Sequence, residues 1–149
     1  MSERLGNQPE IFWVVAAAGA VMVLSVLAPW AKVGFIASAS GIERDGGIIY
    51  LVIAAGALSG VVHFARSGTR SLLAVGAAFA AGGLLLATLD ANSLESDEGI
   101  DILGSRADII SVGWGLRAYQ AGAFVFAVTG FMFFRQLGRV EKSARDNPS

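Results

Sequence analysis

The sequence predicts an all-α membrane protein: an antiparallel four-transmembrane-helix bundle, with a small extracytoplasmic β cap drawn from its first and third connections. Three observations carry this expectation. Uncharged apolar stretches occupy residues 11–30, 48–65, 72–89 and 118–134, each close to the roughly 20 residues that cross a bilayer core of about 30 Å. Hydrophobic residues make up 54% of the chain and charged residues only 15%, against roughly 25% charge in soluble domains. The charges that remain are sorted by sign between alternate connections.

Helix 1 is expected over 11–30. Glu10 stands at its start, where an acid suits the helix dipole. The triplet Ala37-Ser38-Ala39 has the form of a signal-peptide cleavage site. Residues 1–10, however, hold one Arg against two Glu, and the apolar run exceeds the roughly 7–15 residues of a signal core. Helix 1 is therefore expected to be retained. Helices 2 and 3 are expected over 48–65 and 72–89. The segment Arg66-Ser67-Gly68-Thr69-Arg70 between them is too short for anything but an antiparallel hairpin. Helix 4 is expected over 117–135, entered through Ser111-Val112-Gly113-Trp114-Gly115-Leu116 and followed by a flexible polar tail over 137–149. The whole of 1–149 reads as a single domain.

Arg4, Arg66, Arg70, Arg135, Arg139, Lys142 and Arg145 fall on one side of this pattern, and Lys32, Arg44, Arg106 and Arg117 on the other. The acidic residues divide the opposite way, with Glu43, Asp45, Asp90, Glu95, Asp97, Glu98, Asp101 and Asp108 in the first and third connections. The positive-inside rule then places both termini in the cytoplasm, in a multi-pass protein of the plasma membrane. Trp13 marks the inner boundary, and Trp30, Tyr50, Trp114 and Tyr119 mark the outer one, where amphipathic rings favour the interface. In the outer connections, 32–40 alternates small or polar residues with Val33 and Phe35, while 100–103 and 108–112 are β-branched runs. Strands from the two connections are expected to pair across the outer end of the helices.

Hydrophobicity does not drive helix association in lipid, but close approach of backbones through small residues does. Helix 2 carries Gly56 and Gly60 as a GxxxG pair, with Ser59 and His63 assigned to the same face. Helix 3 carries Gly76, Ala80, Gly83 and Ala87, and helix 4 carries Gln120, Ala123, Ala127 and Gly130. Heptad-like spacing of these seams predicts tight packing within the chain, in preference to a dimer interface.

Few residues bear chemistry. The chain has no cysteine and one histidine, which excludes disulfides, thiol catalysis, iron–sulfur clusters and bis-histidine haem ligation. His63, the one neutral-range titratable group in a span, is read as a hydrogen-bonded structural histidine, with a proton-titrating gate as the alternative. Asp90 and Arg117 are expected to pair at the outer ends of helices 3 and 4, beside Gln120. The segment 90–101 holds five carboxylates, and Asp97, Glu98 and Asp101 are its weak candidates for a cation. Leu94 and Glu95 interrupt the ligand spacing of a calcium loop, so a solvated acidic surface is the favoured reading. No cofactor and no nucleic-acid partner is expected; the expected partners are the lipid bilayer and a membrane protein, or further copies of the chain.

The segments Ala28-Pro29-Trp30, Ser40-Gly41-Ile42, Asp45-Gly46-Gly47 and Gly113-Trp114-Gly115-Leu116 resemble those of uncharacterised small four-helix membrane proteins of bacteria. A Trp-bearing first outer loop is also similar to the topology of claudin-like proteins, whose signature adds two cysteines that this chain lacks. Small multidrug-resistance exporters share the four short helices, but their decisive carboxylate lies within the first span, whereas Glu10 precedes it. The sequence thus points to a non-enzymatic accessory or scaffolding subunit of a larger membrane complex. The alternative is an oligomeric channel, holin-like pore or small transporter, and a membrane enzyme using outer carboxylates ranks third.

Overall fold

The computed structural model describes residues 9–33, 37–42, 47–96, 101–102, 105–106 and 110–146. Four helices dominate: α1 (Pro9–Ser25), α2 (Gly47–Ser67), α3 (Ser71–Ser96) and α4 (Trp114–Asp146). Among the described residues, five short strands lie in the connections: β1 (Pro29–Val33), β2 (Ala37–Ser40), β3 (Asp101–Ile102), β4 (Ser105–Arg106) and β5 (Ile110–Val112). Three of the helices contain spans long and apolar enough to cross a membrane, over Gly47–Ser67, Ser71–Ser93 and Trp114–Val140, while Glu10–Ser25 is apolar but shorter.

Helix α1 ends at Ser25 and not at Trp30 as expected. Pro29 explains the difference: it has no N–H to donate, and it disfavours helical geometry at the residue before it. The chain tightens first, with Val26, Leu27 and Ala28 donating N–H bonds to Val23, Leu24 and Ser25. The Ser25 hydroxyl also donates to the Met22 carbonyl at 2.8 Å. Residues 29–33 then leave as β1. Helix α3 continues to Ser96, so the acidic segment begins as helix. Helix α4 runs to Asp146, so the expected flexible tail over 137–149 is helical as far as it is described. Leu137 packs on the core, and Gly138 lies against the Arg70 guanidinium.

The strands join the two long connections as expected. The sheet order is β2-β1-β5, all antiparallel, and β3 and β4 form a separate pair. Ala31, Lys32 and Val33 of β1 stand opposite Val112, Ser111 and Ile110 of β5. The β1–β2 register shifts between Pro29 and Ala31, so the irregularity falls at Trp30. A break of this kind re-aims a side chain, and the Trp30 ring is fully buried.

Helix α1 packs on α2 and α4, and α3 packs on the same two helices. Their contacts follow size complementarity. Tyr119, Phe126 and Phe133 on α4 are buried at seven-residue spacing, opposite backbone that glycines leave open. A Cβ at Gly19 would stand 3.1 Å from the Phe126 ring, and one at Gly76 would stand 3.4 Å from it. A Cβ at Gly83 would stand 2.6 Å from the Tyr119 hydroxyl. On the α2–α3 side a Cβ at Gly60 would meet the Leu72 carbonyl at 2.6 Å, and one at Gly76 the Ala57 carbonyl at 2.9 Å. The GxxxG pair is therefore consumed inside the chain, with Gly56 beneath the Phe79 ring. Ala80 and Ala123 are buried in the same core, while a Cβ at Gly130 would meet Ala77 only at an ordinary 3.5 Å. Ser59 and His63 are exposed on α2 and do not share the packed seam assigned to them.

Candidate functional site

Among the described residues, a group of polar and aromatic side chains lies where the β2-β1-β5 sheet meets the helices. At its centre is Trp30, delivered by β1. Its ring packs edge-on against Tyr50 of α2 and Tyr119 of α4, with centroids 4.6 and 5.5 Å away, and the two tyrosines are 5.4 Å apart. Offset and edge-on contacts of this kind match the positive ring edge to the negative face.

Each polar tip in the group is satisfied by the chain itself. Trp30 Nε1 donates to the Ser25 carbonyl at 2.7 Å, engaging the last carbonyl of α1. Tyr50 Oη donates to Asp90 Oδ2 at 2.7 Å, and Tyr119 Oη to the Tyr50 carbonyl at 3.3 Å. Gln120 Nε2 reaches the Ala87 carbonyl of α3 at 3.2 Å. Backbone closes the outer side: Gly113 N–H donates to the Trp30 carbonyl at 2.7 Å, and Gly41 N–H to the Ala28 carbonyl at 3.3 Å. A buried polar group without a partner costs about 1–3 kcal/mol, so these bonds hold the sheet in one position on the helices.

Glycines enclose the Trp30 ring. A Cβ at Gly41 would stand 2.5 Å from it, and one at Gly115 would stand 2.8 Å from both the ring and Ala28 Cβ. Gly113 lies against the Pro29 carbonyl and Gly47 against the Gly41 carbonyl. Ala28-Pro29-Trp30, Gly41, Gly47 and Gly113 to Leu116, which are scattered through the sequence, thus meet around one indole.

The residues singled out from sequence fare unequally. Asp90 and Gln120 belong to this group and tie α3 to α2 and to α4. Arg117 sits at its exposed edge, its Nη1 3.4 Å from Gln120 Oε1. Tyr50 is one partner of Asp90, and Gln120 is one partner of Arg117. His63 stands apart, exposed near the other end of α2. Asp97 and Glu98 lie outside the described residues, while Asp101 opens β3 opposite Arg106. Among the described residues, no three His, Asp or Glu side chains gather as metal ligands would. Trp30, Tyr50 and Tyr119 were expected in an interfacial belt, yet their relative exposures are 0%, 7% and 0%. Trp114, at 60% exposure, suits that role. The sequence signal for the cage was present in Gly41 and in Gly113 and Gly115 on either side of Trp114, since indole packed onto backbone needs positions without a Cβ.

Chemically, the group contains one carboxylate bound to a phenol, a primary amide bound to a carbonyl, and an indole bound to a carbonyl. Such an arrangement fixes the geometry of the helix ends it joins. No family model, no curated protein and no solved structure matches this chain.

Proposed function

We propose that the chain is an integral membrane protein of four spanning helices whose rigid outer cap serves as a docking face, making it an accessory or scaffolding subunit of a larger membrane complex. The observation that carries this reading is the commitment of the Trp30 cluster to internal bonds. Its polar groups join the sheet to the helices, which suits a surface that must hold its shape for a partner.

The outward faces of the helices support the membrane part of the reading. Trp13, Leu24, Val52, Leu85 and Phe124 are 57–68% exposed, and a soluble monomer rarely leaves so many large apolar groups in water. Basic residues at the α2–α3 turn and along the end of α4 suit a cytoplasmic face, and the acidic third connection suits the opposite one. The space between the helices is filled by Val15, Met22, Leu73, Phe126 and Phe133, all at most 2% exposed. A pore through a single copy would have to displace them.

Two measurements test the proposal. The protein should stay in the membrane fraction through an alkaline carbonate wash. In mild detergent it should then co-elute with a second, different membrane protein identified by mass spectrometry. Migration alone, or ion flux through liposomes holding only this chain, would overturn the subunit reading in favour of a channel or transporter.

A further inference from the structure

An open apolar groove of about 550 Å³ runs along the outer surface between α3 and α4. Alanines of both helices line it, with Ala77 buried, Ala127 half-buried and Ala78 and Ala81 exposed, together with the larger side chains of Val128, Phe131 and Met132. At one end of the groove, arginines follow on α4 and precede α3. On α4, Arg135 holds its guanidinium 5.9 Å from the centre of the Phe131 ring that lines the groove, and Arg139 follows one turn later. In the turn just before α3, Arg70 lies four residues ahead of Ala74, 5.6 Å from the Phe134 ring. Arg135 and Arg139 are exposed.

We propose that this groove binds one anionic phospholipid, its acyl chain along the alanines and its phosphate against Arg135 and Arg139. The inference rests on the reading of the chain as a membrane protein. Charge complementarity selects the occupant. A transmembrane helix from another protein or a second copy would match the apolar trough, but it gives no reason for cations at one end only. A phospholipid has that polarity, an apolar chain ending in a single anion. Guanidinium groups bind phosphate through paired N–H donors. Basic sites between helices on the cytoplasmic side suit anionic head groups. A volume of this size also falls in the usual range for sites that enclose a small ligand.

Native mass spectrometry of the full chain, released from detergent after incubation with dioleoyl phosphatidylglycerol or dioleoyl phosphatidylcholine, tests the site. The wild type should retain one phosphatidylglycerol in preference to phosphatidylcholine. The preference should fall by roughly fivefold for each arginine removed in R135A and R135A/R139A. A78F, which fills an exposed part of the groove, should lose both lipids, whereas V62F on α2 should retain them as the wild type does. Equal retention of the two lipids, or an unchanged preference in R135A/R139A, would overturn the proposal. So would a doubled mass that A78F reduces to the monomer, since a second copy would then cover the groove. The membrane reading fails separately, if the wild type is released from membranes by alkaline carbonate. Firm membrane retention without a lipid preference sinks only the site.

Discussion

Glycines show most directly how single residues decide this structure, because the neighbours of each differ. Gly60 and Gly76 approach carbonyls of the opposing helix, so a methyl group at either forces two backbones apart. Gly60→Ala or Gly76→Ala should cost about 1–3 kcal/mol, the usual penalty for overpacking, measured as a lower midpoint in thermal or SDS-induced unfolding. Gly82 faces open space, and Gly82→Ala should be neutral or raise that midpoint, since glycine inside a helix is disfavoured by about 1 kcal/mol. Identical midpoints for Gly60→Ala and Gly82→Ala would contradict the packing described. Tyr50→Phe removes the donor to Asp90 and should cost about 1–3 kcal/mol, with Asp90→Asn/Tyr50→Phe less damaging than the sum of its parts. Gln136 offers the opposite case. Its Oε1 is buried with no hydrogen-bond partner, so Gln136→Leu should leave stability unchanged or improve it.

Among the elements, the end of α1 and the α2–α3 turn are the instructive cases. Helix 1 was expected to use its whole apolar run, which treats hydrophobicity as the only criterion. Pro29 and the indole of Trp30 override it: the proline stops the helical ladder, and the ring engages the carbonyl of Ser25 at its end. The α2–α3 turn was correctly read as a hairpin, and Gly68 is its enabling residue, at φ 70°. Gly68→Ala should cost about 1–2 kcal/mol, because a Cβ crowds the backbone in this left-handed region. A matching loss on Ser67→Ala would show instead that the Ser67 hydroxyl, which bonds the His63 carbonyl and the Thr69 N–H, holds the turn. Helix α4 outruns its expected end for a related reason. Residues 136–142 mix polar and apolar side chains, but Gln, Leu, Arg, Glu and Lys are good helix formers, and Leu137 still has core to cover.

For the molecule as a whole, the absence of cysteine makes topology directly measurable. Single cysteines at Ser67 and Ser143, both exposed, should react with an impermeant maleimide only once the cytoplasmic face is opened. A cysteine at Asn92, exposed near the carboxyl end of α3, should react in intact cells. Labelling of Asn92→Cys and Ser143→Cys from the same side would refute the orientation taken from the charges. The cap makes a second whole-molecule prediction. Trp30→Ala empties a glycine-lined cage, and large-to-small substitutions of buried aromatics cost about 3–5 kcal/mol. Trp30→Ala should loosen the sheet and both outer helix ends together, seen as raised amide exchange at Gly41 and Gly113.

Hydropathy, turn length and charge sign act locally along the chain, which is why the four helical segments, the α2–α3 hairpin and the strand-forming runs were readable from residue order. The glycine seams of α2 and α3 were readable too, because close backbone approach demands residues without side chains. Who occupies those seams was not. Tyr119 and Phe126 lie far along the chain from Gly83, Gly76 and Gly19, on which they pack, and nothing in their own neighbourhood marks them as the knobs. Nor did residue type distinguish Trp30, Tyr50 and Tyr119, which are buried and hydrogen-bonded to the chain, from Trp114, which is exposed. An amphipathic ring is equally content at a lipid interface or in a core that offers its N–H or O–H a partner. Only the assembled sheet and helix ends supply the carbonyls and the carboxylate that make the second environment the better one.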